Sequence, residues 1–544
     1  MRGPMGPRNG QLAGPVALWG LVLLAACDAP TVQRAPPPRT MATAFERARC
    51  AAVAGTALPH ATICETRFVD AESTVVASSN PARAGPRSWP AYCRVLGVSR
   101  PTADSEIHFE VAIPAGEAWN GRYLQVGNGA FAGSIPEDDI LDGLASGYAV
   151  AGTDDGHQAG PADAAWALGH PEKMIDYGYR AVKETSDAAR AVIWLFKGRR
   201  PSFSYFTGCS DGGREALMEA QRYPEDFDGI VAGAPPTRTA HVLAGFAWNV
   251  RALTHLPGSA IPRSKLGAIE TAALRACGDM DGVVEDPLHC RFDPRVLTCA
   301  RAEDDGCLTP AQVTALAKIY AGATNPRTGE LIVPGLEPGA EAERQPDGWA
   351  MWISGPVPSG GSSGDSLLST SFFRYMVFGD PSYDISRLDF DADVATADAK
   401  VASTISPDDP DLGRFERRGG KLIHYHGWSD ATVPPRLSVA YYERVQRTMG
   451  DTSSFYRLFM APGMAHCDGG RGPDVLATLD AITVWVERGA APDRLIATKF
   501  VGGLRSNGVA RTRPLCPYPQ QATWDGRGSR ASADSYRCGS ETAR

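Results

Sequence analysis

The sequence predicts an α/β protein with a mostly parallel central sheet and a large inserted segment. Three observations carry this expectation. From about residue 106 to 240, short apolar strands alternate with helical patterns, the rhythm of a sheet whose parallel strands are joined by helices. Over residues 241–399 that rhythm stops, and proline, glycine, cysteine and aromatic residues cluster instead. It resumes from residue 400, and the total of 544 residues is more than one compact core usually holds.

Taken in order, the chain opens with Arg2 and Arg8 ahead of VALWGLVLLAAC, an apolar run too short to span a bilayer as a mature helix. The run ends in Leu24-Ala25-Ala26-Cys27, the pattern of a bacterial lipoprotein site at which Cys27 is lipidated. An ordinary secretory signal cut nearby is the alternative. Residues 28–44 are rich in proline and alanine and read as a tether. The main domain is expected over 45–240 and 400–544, interrupted by a lid at 241–399. IHFEVAIP, RYLQVGNG and YAVAGTDDG are the first strands, and residues 171–196 carry one helical pattern. FSYFTG, REALMEAQRYP and GIVAGAPP then form a strand–helix–strand unit. KLIHYHGWSD and YRLFMAPGMAHC supply two later strands, and VLATLDAITVWVERG an amphipathic helix. SGGSSGDS, within the lid, has loop composition.

A net charge of −8 with 43% hydrophobic and 21% charged residues is ordinary for a globular chain. No basic block marks a nucleic-acid partner, and no segment after the leader has the length of a transmembrane helix. The membrane is therefore expected only through the N-terminal lipid. Twelve cysteines less Cys27 leave eleven, an odd number. They form no CxxC pair, and in an exported chain they point to a disulfide framework with one thiol left over.

Gly208-Cys209-Ser210-Asp211-Gly212 matches G-x-S-x-G, a weak signal alone in a chain with 58 glycines. Its setting between a strand and a helix strengthens it, because a nucleophile elbow needs both, with small residues at the turn. A glycine-rich turn bearing a surface serine is the plainer reading. The partners should follow in the order acid, then base. Asp430 lies just beyond one later strand and His466 just beyond the next, while His424 and His426 are rival bases more readily given a structural role. His466 is followed at once by Cys467, as Cys209 precedes Ser210. If serine and histidine meet, the two cysteines approach disulfide distance; two buried thiols are the alternative. One oxyanion donor should be the Asp211 N–H, its carboxylate left to face solvent, and the other should come from GNGAFAG at 127–133.

Together, YFTGCSDGGREALMEAQRYPEDFDGIVAGAPP, WNGRYLQVGNGAFAG and HGWSDATVPP resemble the tannase and feruloyl esterase family of α/β-hydrolases, which includes bacterial mono(2-hydroxyethyl) terephthalate hydrolases. The resemblance implies an α/β-hydrolase fold and a serine carboxylic-ester hydrolase acting on feruloyl, galloyl or terephthalate-type esters. It implies Ser210, Asp430 and His466 as the triad beside a Cys209–Cys467 disulfide, with no organic cofactor. It also implies the pairs Cys50–Cys93, Cys277–Cys290, Cys299–Cys307 and Cys516–Cys538, leaving Cys64 over. Ala130 stands where the family has a second glycine, and its N–H remains as an oxyanion donor. The family's lid calcium would fall on CGDMDGVVEDPLHC, with Asp279, Asp281, Glu285 and the Val283 carbonyl as ligands; a solvated acidic loop without metal is equally open. Trp349 and Trp352 could stack on an aromatic acyl ring, and Arg344 or Arg374 could meet a second carboxylate. The rivals are the same triad acting on a lactone or peptide, and a binding module on a decayed fold.

Overall fold

The computed structural model describes residues 41–76, 85–278, 281–343, 348–355 and 362–539. The expected signal peptide, Cys27 and residues 28–40 of the tether lie outside them, as do Asp279 and Arg344.

Nine strands form the central sheet: β1 (Ala61–Val69), β2 (Tyr92–Ser99), β3 (Ile107–Pro114), β4 (Arg122–Val126), β5 (Ala149–Thr153), β6 (Phe203–Cys209), β7 (Gly229–Gly233), β8 (Lys421–Gly427) and β9 (Tyr456–Ala461). Their spatial order is β1-β2-β3-β5-β4-β6-β7-β8-β9. Every pair from β5 across to β9 is parallel, and β1, β2 and β3 run antiparallel to their neighbours. β5 and β7 are buried along their whole length, as parallel strands covered on both faces must be. Successive side chains feed opposite cores. Tyr123, Phe206, Ile230 and Leu458 enter one; Leu124, Tyr205, Val231 and Phe459 enter the other.

The flanking helices include α1 (Ala181–Lys197), α2 (Asp211–Arg222), α3 (Thr239–Thr254), α4 (Arg436–Met449) and α5 (Thr478–Arg488). The single helix expected over 171–196 is interrupted: Asp176–Arg180 widens into a π turn. The reason is tertiary. The carbonyls of Tyr177 and Gly178 accept the Arg214 guanidinium, at 2.8 and 2.7 Å, which a regular helix would have kept for itself. The amphipathic helix begins at Thr478, because Val475 and Leu476 pair in a small antiparallel sheet.

The segment after β7 packs around Leu266, Ile269, Leu316, Ile319 and Trp349. A second apolar cluster joins its Phe246, Phe372 and Val401 to Phe131 and Val433 of the sheet loops and Leu437 at the start of α4. α3 runs across residue 240 without a break. Disulfides link Cys50–Cys93, Cys209–Cys467, Cys277–Cys290, Cys299–Cys307 and Cys516–Cys538, and Cys64 is a free, exposed thiol. Among the described residues, no helix is long and apolar enough to cross a membrane.

Candidate active site

β6 passes into α2 with Ser210 as the only hinge, at φ 62° and ψ −120°. This conformation costs a non-glycine residue on the order of 1–2 kcal/mol, and the surroundings hold it. The Ser210 N–H donates to the Gly233 carbonyl at 2.9 Å, and the Ser210 carbonyl accepts the Arg214 N–H at 3.0 Å. A side chain at position 208 would bring its Cβ within 2.5 Å of the Gly212 carbonyl oxygen, so only glycine permits this turn.

Asp430 lies in the loop after β8, and His466 in the loop after β9. The His466 Nδ1 is 2.7 Å from Asp430 Oδ2. The other carboxylate oxygen, Oδ1, accepts the N–H groups of Thr432 and Val433 at 2.7 and 2.9 Å. Burial alone would raise the Asp430 pKa, but His466 and His426, through charge and hydrogen bonds, outweigh it and hold the group well below the usual carboxylate range. Asp430 is thus a fixed anion facing the imidazole. Ser210, Cys209, His466 and Cys467 line one cavity of about 710 Å³, and the Cys209–Cys467 disulfide ties the end of β6 to the histidine loop.

His424 and His426 do not line that cavity. His426 is fully buried, with Nε2 3.0 Å from both Asp430 Oδ2 and the Val433 carbonyl. Because that carbonyl can only accept, Nε2 carries the proton, and His426 becomes a second donor orienting Asp430. Ser438 Oγ joins the two histidines, 2.8 Å from His424 and 2.6 Å from His426. Burial, reinforced by the charge of His426, pushes the His424 pKa well down. A histidine four residues before the acid was the legible clue to this support, which sequence reasoning left unassigned.

The Asp211 carboxylate departs from expectation. It is 3% exposed and turned inward, its Oδ1 accepting the Tyr177 hydroxyl at 2.8 Å and the fully buried Arg214 Nε at 2.5 Å. A charge at the base of α2 cannot remain solvated, so Arg214 neutralises it. The Asp211 N–H, in the first turn of α2, has no intrahelical acceptor. Ala130 lines the same cavity at φ 55°, a region that favours glycine.

The cavity wall is apolar along Phe131, Leu243, Phe246, Trp352 and Leu368. Trp349 is instead buried in the neighbouring core against Tyr320, with ring centroids 5.9 Å apart. Arg374 donates Nε to the Tyr383 carbonyl at 2.8 Å and is not among the lining residues. Asp138, Asp139 and Asp468 do line the cavity, besides the inward-turned Asp211.

Residues 93–539 match the family of tannase and feruloyl esterase. The chain belongs to that family. An uncharacterised esterase of Xanthomonas campestris pv. campestris is 43% identical over 541 residues, covering 92% of each chain. The mono(2-hydroxyethyl) terephthalate hydrolase of Piscinibacter sakaiensis is 33% identical, covering 84% of this chain and 86% of its own. The crystal structure of feruloyl esterase B from Aspergillus oryzae superposes with a TM-score of 0.79 at 27% identity, over 91% of this chain and all of that one. This family member is an esterase with the α/β fold.

Of the calcium ligands expected in the lid loop, Asp279 lies outside the described residues, and Asp281 and Glu285 face an internal cation. Arg513, 4% exposed, donates NH2 to Asp281 Oδ2 and, at 3.0 Å, to Glu285 Oε1. An internal cation therefore already occupies the position between two of the expected ligands. Chelation by EDTA is expected to leave the melting temperature unchanged. Arg513→Met should destabilise the protein by about 1–3 kcal/mol, because both carboxylates lose the buried guanidinium they face. Thermal unfolding with and without EDTA checks both results, and a large fall in Tm on chelating the wild type would contradict this account.

Proposed function

We propose that this esterase cleaves esters of aromatic acids through an acyl-enzyme formed on Ser210, with His466 as acid–base and Asp430 as its orienting anion. The observation that carries the reading is the single cavity in which Ser210 and His466 stand beside Phe131, Phe246 and Trp352. A flat ring can bury its area there while its carbonyl meets the serine. The 241–399 segment supplies Phe246, Trp352 and Leu368 of that wall, and so acts as the lid.

Asp430 accepts the Nδ1 proton of His466, which leaves Nε2 to take the Ser210 hydroxyl proton. The alkoxide adds to the ester carbonyl, and the oxyanion is held by the N–H groups of Asp211 and Ala130 at the positive end of α2. Collapse expels the alcohol, protonated by His466. Water activated by the same nitrogen then releases the acid.

The charge around the site favours an uncharged phenolic acyl group over a terephthalate monoester. Asp138, Asp139 and Asp468 line the cavity, and among the described lining residues there is no lysine or arginine. A second carboxylate on the ring would meet like charge, at a cost of about 1 kcal/mol per close pair. Methyl ferulate and methyl gallate are expected to exceed mono(2-hydroxyethyl) terephthalate in kcat/KM by about tenfold or more, and Asp138→Asn with Asp139→Asn should narrow that gap. A preference for the terephthalate ester would reverse the charge argument. No turnover of any of the three would end the aromatic-ester reading.

We also infer export, with Cys27 as the lipid anchor, from the leader sequence and from disulfides that persist in oxidising compartments. Incorporation of labelled palmitate in the bacterial host, lost in Cys27→Ala, checks the anchor.

A further inference from the structure

Behind the elbow, three buried carboxylates converge. Oxygens of Asp155, Asp211 and Glu215 lie within 4.8 Å of one another, although only one of the three has an obvious cation. Arg214 is committed to Asp211 through two contacts of 2.5 and 3.1 Å. Asp155 and Glu215 are 0% and 2% exposed. Neither Asp155 oxygen, nor Glu215 Oε1, receives an N–H or a hydroxyl from the described residues. Two adjacent anions in such a place, sharing a single N–H donor on Glu215 Oε2, would be an arrangement costing several kcal/mol. One proton between them supplies the missing donor.

The pair also occupies a consequential position. Glu215 Oε2 accepts the Asn128 N–H at 3.1 Å, and the Asn128 carbonyl accepts the Gly212 N–H at 2.7 Å. These two bonds run in opposite directions between the loop that carries Ala130 and the first turn of α2. The fit is close enough that a Cβ at Gly127 would sit 2.5 Å from Glu215 Oε2 and 2.6 Å from Gly212 Cα. Asn128 also donates its side-chain amide to the Thr153 carbonyl at 2.9 Å. Asp155, two residues further on, is held at φ 61° with its N–H on Thr153 Oγ1 at 3.2 Å.

We propose that Glu215 Oε1 and Asp155 share one proton, and that this neutral clamp holds the Asn128–Ala130 loop against α2, so that the Ala130 and Asp211 N–H groups stay aimed at one point. Glu215 and Asp155 are positioning residues. They act through the oxyanion donors and touch no substrate. The charged and titratable groups facing the pair are Asp211 and Arg214 from α2 and Tyr177 from the π turn. Burial, and after it the charge of Asp155, raises the Glu215 pKa well above its ordinary value. Burial likewise raises Asp155. Both shifts favour keeping the shared proton, and the clamp opens when alkali removes it, setting two buried anions against each other.

The inference rests on the Ser210 reaction proposed above, and its test separates the two. Infrared difference spectra of the wild-type protein should contain the C=O stretch of a buried protonated carboxyl that is absent in Glu215→Gln, whatever ester is turned over. The kcat profile should fall on its alkaline side in the wild type and stay level in Glu215→Gln, whose amide donates to Asp155 permanently. Glu215→Ala should lose about 100-fold in kcat with little change in KM, and Glu215→Gln should recover most of that loss. Three results would overturn the proposal: no protonated carboxyl in the wild type, a stoichiometric metal ion at the cluster, or an alkaline limb unchanged in Glu215→Gln.

Discussion

Ser210→Ala is expected to lower kcat toward methyl ferulate on the order of 10⁴–10⁶-fold, with the folded structure kept. The Ser210 hydroxyl stands on the cavity wall on a strained backbone, at φ 62°, with His466 in the same cavity. Removing it leaves only binding and the oxyanion donors, which by themselves retain a small part of the acceleration. His466→Ala should fall in the same range. The double variant should be no more than a few-fold slower than either single one, because the two groups act as a unit. Progress curves on purified protein and labelling by a fluorophosphonate probe measure this. Retention of activity within tenfold in Ser210→Ala would remove Ser210 from the mechanism.

The second large effect is expected from replacing Cys209 and Cys467 together by serine. The bond closes a loop with a sequence separation of 258, for which chain entropy gives an upper bound of about 5 kcal/mol of stabilisation. The larger consequence concerns catalysis. Cys467 immediately follows His466 and adopts φ 66°, so the crosslink fixes the backbone of His466 relative to that of Ser210. An ångström of slack between them is worth on the order of 100-fold in rate. The double serine variant should therefore lose kcat well below its melting temperature, where the fold is intact. Wild-type turnover under those conditions would make the crosslink dispensable for chemistry.

Much of the sheet was legible because strand and helix signals are local. FSYFTG, GIVAGAPP and KLIHYHG are short apolar runs bounded by turn residues, and they became β6, β7 and β8. The π turn at Asp176–Arg180 was not legible, because its cause, the Arg214 guanidinium, lies outside that stretch of sequence. The inward Asp211 was missed for a related reason: only its N–H was needed at the elbow, which left the carboxylate to solvent, and only packing seals it with Arg214 under Tyr177. The acidic lid loop offered ligand chemistry for calcium, but nothing local marks Arg513, 232 positions away from Asp281, as the cation that meets it.

The sequence by itself determined the family, the α/β alternation and the residue types of the candidate site, because strand periodicity, the elbow glycines and the paired Cys-Ser and His-Cys motifs are written in adjacent positions. Tertiary structure decided which charges are held or neutralised, and by what. His426 on Asp430, Arg214 on Asp211, Arg513 on the lid loop and Glu215 beside Asp155 are all settled by burial. Whether an ionisable group keeps its charge depends on the water it loses and the partners it meets, and those become fixed only when distant segments pack.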